Sequence, residues 1–147
     1  AVIAVGYLGK GNTRNILYEK LKTMGYRLPA IIDPSAVVSE KTFIGEGVFV
    51  GKKAVINRSA RIGKMAIVNT GAIVEHECRV GEFSHIAVGA VLCGGVSIGN
   101  QSLIGSGSTV IQGVAIGSKV IVGAGSLVLG NVGDGQTVYG TVKRGCL

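Results

Sequence analysis

From Val38 onward an aliphatic residue occupies every sixth position: Val38, Ile44, Val50, Ile56, Ile62, Val68, Val74, Val80, Ile86, Leu92, Ile98, Ile104, Val110, Ile116, Val122 and Val128. Sixteen such positions follow one another without a slip. Two residues before most of them the side chain is small, as at Ala54, Ala60, Ala66, Ala72, Cys78, Ser84, Ala90, Ser102 and Ser108. Glycine recurs just after the aliphatic residue, at 45, 51, 63, 81, 99, 105, 117 and 123. A period of six suits neither an amphipathic helix nor a long strand. It predicts short strands joined by tight turns. Within each strand the alternation turns the aliphatic and the small residue inward, and the residue between them outward.

These repeats resemble the hexapeptide-repeat acyltransferases over roughly Pro34 to Tyr139. The resemblance implies a mainly β fold, a left-handed parallel β-helix with three hexapeptides per coil. Sorting the outward residues by such a coil separates three faces. One reads Val37, Val55, Ile73, Val91, Thr109, Leu127; a second reads Phe49, Ile67, His85, Leu103, Ile121; the third reads Phe43, Arg61, Arg79, Ser97, Ala115. Two faces are therefore apolar outside as well as inside, which predicts a homo-oligomer. The trimer usual in that family is the simplest form.

Ahead of the repeats, AVIAVG predicts a buried strand, followed by a glycine-rich turn and a helix over about Thr13 to Met24. Asn12 or Thr13 can cap that helix, Leu17, Leu21 and Met24 form its apolar stripe, and Gly25 ends it. RLPAII predicts another strand leading through Asp33 and Pro34 into the coils. A piece of about 33 residues cannot bury a core of its own, so it is expected to dock on the rest of the chain. The string GYLGKG lies in a strand–turn–helix context but does not meet the spacing of a phosphate-binding fingerprint.

Composition adds few constraints. An apolar content of 47% with 25 glycines in 147 residues fits one folded, turn-rich protein. No apolar run approaches the roughly 20 residues that span a bilayer, and the first residues lack a secretory pattern. A cytoplasmic protein without membrane contact is the expectation. Cys78, Cys93 and Cys146 form neither a metal-ligand pattern nor an even-numbered disulfide framework, so no metal and reduced thiols are expected. The net charge of +7 is not accompanied by a basic cluster interleaved with aromatic residues, which argues against nucleic acid. Small phosphorylated ligands account for the charge as well.

The chemistry is concentrated in NTGAIVEHECRVGEFSHIAVGA, Asn69 to Ala90, which holds both histidines. His76 is bracketed by Glu75 and Glu77, either of which could hold one imidazole nitrogen and raise the basicity of the other. His85 lies nine residues on, pointing outward on the second apolar face. If apolar faces meet between subunits, a histidine from each chain could line one cleft.

The EHEC and GEFSH strings are similar to those of the sugar O- and N-acetyltransferases, the subfamily that includes sialic acid O-acetyltransferases and the enzymes acetylating the 4-amino group of UDP-linked amino sugars, including those of the bacillosamine pathway. The resemblance implies acetyl-CoA as co-substrate and a nucleotide-linked amino sugar as acceptor. It implies His76 as general base assisted by Glu77, His85 as a contact to acetyl-CoA, Asn69 as a helper on the substrate side, and a cofactor path near Gly94 and Ser106. The subfamily carries a nucleotide-sugar domain of βαβ type before the β-helix, and IAVG with TRNILYEKL resembles its final segment. Gly6, Arg14 and Tyr18 are then the expected sugar-nucleotide contacts. The expected organisation is a partial α/β segment over 1–33, a β-helix over 34–140 and a tail over 141–147. The closing sequence VYGTVKRGCL lacks the proline usual at the end of the family's β-helix.

The mechanism implied is direct acetyl transfer, with a backbone amide near Gly94 for the oxyanion. Cys78 sits at an inward position and is not expected to carry the acetyl group. Alternatives from the same residues are a sialic acid or related sugar O-acetyltransferase and a non-catalytic trimeric scaffold. A carbonic anhydrase on the same helix needs three histidines for zinc, and the chain has two.

Overall fold

The computed structural model describes residues 1–143. From Ile31 the chain winds into a left-handed parallel β-helix of about 6 turns. Three parallel sheets form its sides. The first stacks Ile31–Ile32, Phe49–Val50, Ile67–Val68, His85–Ile86, Leu103–Ile104, Ile121–Val122 and Thr137–Val138. The second stacks Val37–Val38, Val55–Ile56, Ile73–Val74, Val91–Leu92, Thr109–Val110, Leu127–Val128 and Thr141–Val142. The third stacks Phe43–Ile44, Arg61–Ile62, Arg79–Val80, Ser97–Ile98 and Ala115–Ile116. The ladder thus takes in a strand on either side of the span 34–140. Register partners along the stack differ by 18 residues over most of its length, as in Ile67 against His85 and Ile73 against Val91. The three outward faces are those sorted from the sequence.

The six-residue period is explained by the core. Val50, Ile56, Ile62, Val68, Val74, Ile86, Leu92 and Ile104 form one continuous apolar column with no exposure. The small inward positions follow the corner turns, and Ala54, Ala60, Ala66 and Ala72 there are fully buried. At some of them serine supplies a polar link within the core: Ser84 Oγ donates to the Gly99 carbonyl and accepts the Ser102 N–H. The glycine after the aliphatic residue is needed because coils approach closely there. A Cβ on Gly99 would lie 2.5 Å from the backbone of Gly117 and Ser118.

The amino-terminal piece departs from its sequence pattern in three respects. Residues 1–6 form no strand, and Val2 and Val5 are exposed. Six apolar residues become a strand only beside another edge that completes their hydrogen bonds, and no described residue offers one here. The helix runs Thr13–Thr23, but its buried residues are Arg14 and Tyr18, while Met24 is exposed. Docking selects the face whose polar tips find partners: Tyr18 Oη donates to Glu46 at 3.0 Å, and its ring meets Phe83 edge-on at 5.7 Å. Asn12 occupies the cap position without a side-chain capping bond. The other end follows expectation. Gly25, with φ of 82°, donates to the Lys22 carbonyl and Tyr26 donates to that of Leu21, the paired closing bonds of a Schellman motif.

This piece lies across the first sheet. Tyr7 Oη donates to the Gln101 carbonyl at 2.7 Å, and Gly9 packs against Leu103 and Ile121. The second predicted apolar face is therefore largely covered by the chain itself. The face of the second sheet, from Val37 to Leu127, stays open. On the third, Arg61 stacks over the Phe43 ring at 4.9 Å. Among the described residues no helix is long and apolar enough to cross a membrane, and no cluster of three or more metal-ligating side chains occurs.

Candidate active site

His76 sits at the corner between the second and third sheets, in the turn after Val74. Its imidazole Nδ1 is 3.3 Å from Glu77 Oε2, which settles the choice between the two flanking acids. Glu75 instead braces the corner, accepting the His76 backbone N–H at 3.2 Å and the Asn57 amide from the coil below at 3.0 Å. A carboxylate at Nδ1 keeps the proton there and leaves Nε2 with its lone pair, the arrangement of a general base. Glu77 has a left-handed backbone with φ of 60°, a feature of several other corners, such as Lys53 and Phe83.

Nε2 lies directly over Gly94 in the next coil, where a Cβ would stand 2.5 Å from it. Gly94 does not have positive φ, so glycine is required by the imidazole and not by the backbone. The main chains are locked together alongside, the Gly95 N–H donating to the His76 carbonyl at 2.9 Å. Among the described residues nothing accepts the Gly94 N–H. His76, Glu77 and Gly94 thus form one exposed station: an imidazole, a carboxylate at its Nδ1, and a backbone N–H with no acceptor among the described residues.

Cys78 lies near this station but faces inward. Its thiol donates to the Cys93 carbonyl at 3.1 Å, and burial pushes its pKa up to about 11. A thiol so placed is not a nucleophile at neutral pH. Cys146 lies outside the described residues.

Ser106 is at a different corner, between the first and second sheets, where its carbonyl accepts the Gly125 N–H. One chain does not bring it to Gly94.

His85 does not stand outward in solvent or in an open apolar face. It is 8% exposed, with both nitrogens engaged: Nδ1 lies 2.7 Å from the Tyr7 carbonyl and Nε2 lies 3.0 Å from Asn69 Nδ2. The reason is the docking of the amino-terminal segment over the first sheet, a contact between positions 78 residues apart. His85 lines a cavity of about 360 Å³ together with Gly6, Arg14 and Asn69. Three of the four expected substrate contacts therefore share one space, mostly apolar, with Phe49 and Ile67 on its walls. Tyr18 is not among the lining residues.

Arg14 is 4% exposed, and its guanidinium donates to the carbonyls of Val5 and Met65. Burial lowers its pKa. Nε has no partner. Arg14 thus joins residue 5 to the β-helix, a structural role that the motif did not signal. Glu46 is a further organising residue without a sequence signal, accepting from Tyr18 and from Lys22 at 2.8 Å.

The profile described as "Hexapeptide repeat of succinyl-transferase" matches residues 41–76 and 95–129. No match was found among curated proteins. Among solved structures, PerB from Caulobacter crescentus, in complex with CoA and GDP-perosamine, superposes with a TM-score of 0.88 at 42% identity, over 90% of this chain and 64% of that one. The acetyltransferase domain of PglB from Neisseria gonorrhoeae FA1090 gives 0.87 at 38% identity, over 90% and 65%, and has been solved in complex with acetyl coenzyme A. WeeI from Acinetobacter baumannii AYE gives 0.85 at 29% identity, over 90% and 65%. The chain spans slightly less than two thirds of the length of these relatives. Sixteen hexapeptide positions, the closed three-sided coil and these superpositions together show a hexapeptide-repeat β-helix similar to PerB and to the acetyltransferase domain of PglB.

Proposed function

We propose that the chain transfers the acetyl group of acetyl-CoA to the amino group of a nucleotide-linked amino sugar. The observation that carries this reading is the station at His76: an imidazole with Nδ1 at Glu77 and Nε2 unbonded among the described residues, lying over Gly94, whose N–H has no acceptor among them. The sugar nitrogen attacks the thioester carbonyl while His76 Nε2 takes its proton. The developing oxyanion is stabilised by the Gly94 N–H, and the electron pair leaves with the coenzyme A thiolate, which is reprotonated from His76. No covalent enzyme intermediate is needed, in keeping with the raised pKa of Cys78.

The relatives support the substrate class, since PerB was solved with CoA and GDP-perosamine and the PglB domain with acetyl coenzyme A. Residues 1–33 are read as the closing part of a nucleotide-sugar domain, with Gly6, Arg14 and Asn69 facing the acceptor through the shared cavity. The working form is read as a homotrimer in the cytoplasm. The open face of the second sheet is its contact, which would bring Ser106 of one copy toward Gly94 of another and complete the acetyl-CoA path.

Intact-mass screening separates the candidate acceptors. Nucleotide-linked 4-amino sugars incubated with acetyl-CoA and the chain are expected to gain one acetyl group. Acetylation of sialic acids with the amino sugars unchanged would favour O-transfer by the same base.

A further inference from the structure

His85 and Asn69 form a second polar unit, away from His76 and joined to the amino-terminal segment. A carbonyl can only accept, so the His85 Nδ1 facing the Tyr7 carbonyl carries the proton. Burial and the Arg14 charge both disfavour a second proton, against the bond to Tyr7. Nε2 therefore presents a lone pair, and the group 3.0 Å away must be the Asn69 NH₂. Asn69 Oδ1 then points the other way and accepts the Thr70 N–H at 2.8 Å. Only one orientation of the carboxamide satisfies both contacts. Turned over, it sets acceptor against acceptor at His85 and donor against donor at Thr70. Ile67 and Leu103 flank His85 on the neighbouring strands. The charged group acting on it is the Arg14 guanidinium, while the Tyr7 phenol is turned to the Gln101 carbonyl.

We propose that His85 is a positioning residue: as the Nδ1–H tautomer it holds the Asn69 carboxamide in one orientation at the cavity wall and binds the Tyr7 carbonyl, so that a single proton sets both. The ring has no nitrogen left for the acyl donor, in contrast to the contact implied by the sequence motif. A second proton on Nε2 would face the Asn69 NH₂. The carboxamide would then have to turn, breaking its bond to Thr70, and Asn69 would present its other edge to the cavity. The consequence for catalysis rests on the proposed function, in which Asn69 faces the acceptor.

Long-range ¹H–¹⁵N correlation on the ¹⁵N-labelled chain at neutral pH tests the assignment. The chain has two histidines, so a His76→Asn sample leaves only the His85 ring and identifies its signals. The expected ring carries a proton on Nδ1 and none on Nε2. Asn69→Asp puts a carboxylate oxygen opposite Nε2 and should convert His85 to the imidazolium at the same pH. A wild-type ring protonated on Nε2, or one whose state ignores Asn69→Asp, overturns the proposal. In kinetics, His85→Gln, which keeps a donor and an acceptor, should raise the KM for the sugar about 5- to 20-fold and leave that for acetyl-CoA within about twofold. A rise confined to the acetyl-CoA KM would restore the direct contact and overturn it. If wild-type protein acetylates no nucleotide-linked amino sugar, the functional reading fails while the spectroscopic result still decides the role of His85.

Discussion

At the scale of single residues, the site depends on a side chain that Gly94 lacks. The imidazole of His76 occupies the space a Cβ would take, so Gly94→Ala must displace the ring or its own backbone. The backbone conformation of Gly94 is open to alanine. Gly94→Ala is therefore expected to cut turnover by about 10²-fold, since small displacements of a positioned group cost that much, while its melting temperature stays close to wild type. Activity within threefold of wild type would show that the ring position is not critical. His85 gives a second residue-scale expectation, concerning stability. Its folded pKa is lowered from 6.5, chiefly by burial. The unfolded chain therefore binds more protons just below pH 6.5, and the contribution of neutral His85 is lost as pH falls through that value toward the folded pKa. Thermal melts between pH 7.5 and 5 should show a falling midpoint, and the fall should shrink in His85→Gln. Equal slopes in the two proteins would mean that the ring is not held neutral.

At the scale of elements, the coil tolerates side chains at some glycines and not at others. A Cβ on Gly99 meets the backbone of the next coil at 2.5 Å, whereas one on Gly71 meets nothing, although its φ is 65°. Gly99→Ala should therefore destabilise by about 3 kcal/mol or more by forcing coils apart, and Gly71→Ala by about 1 kcal/mol through backbone strain alone. Chemical denaturation of both variants checks the order; a reversed order would contradict the close-packed corner. This regularity is why the β-helix is legible in sequence. Every coil meets the same steric demands, so the inward residues repeat at Val68, Val74, Ile86 and Leu92. The pairing of His76 with Glu77 is equally legible, because adjacent residues at a corner can reach each other without help from the rest of the fold. The partners of His85 are not. Tyr7 reaches it through docking of a distant segment, and nothing in GEFSH encodes that approach. The buried face of the helix is hidden for a related reason. Of the apolar residues Leu17, Leu21 and Met24, Leu21 packs beside Tyr18 while Met24 is exposed, and Arg14 and Tyr18 face inward because Met65 and Glu46 supply acceptors for them.

At the scale of the whole molecule, the second sheet leaves a long, largely apolar face open among the described residues, with Val37 and Leu127 exposed on it. Under the trimeric reading, replacing Ile73 and Val91 together by glutamate should give monomers in light scattering, because charge on an apolar contact opposes association. Those monomers should keep the melting cooperativity of the coil yet lose acetyl transfer, since Gly94 and Ser106 would no longer meet. Fully active monomers would show that one chain suffices. The central claim is narrower than the assembly. It is that His76, oriented by Glu77 over Gly94, accepts the proton of the attacking amine. The most direct measurement is the rate of acetyl transfer from acetyl-CoA to a nucleotide-linked 4-amino sugar by wild type and His76→Ala, in samples of equal size and melting temperature. The account predicts a loss of about 10² to 10⁴ in turnover for His76→Ala; a rate within a few-fold of wild type would contradict it.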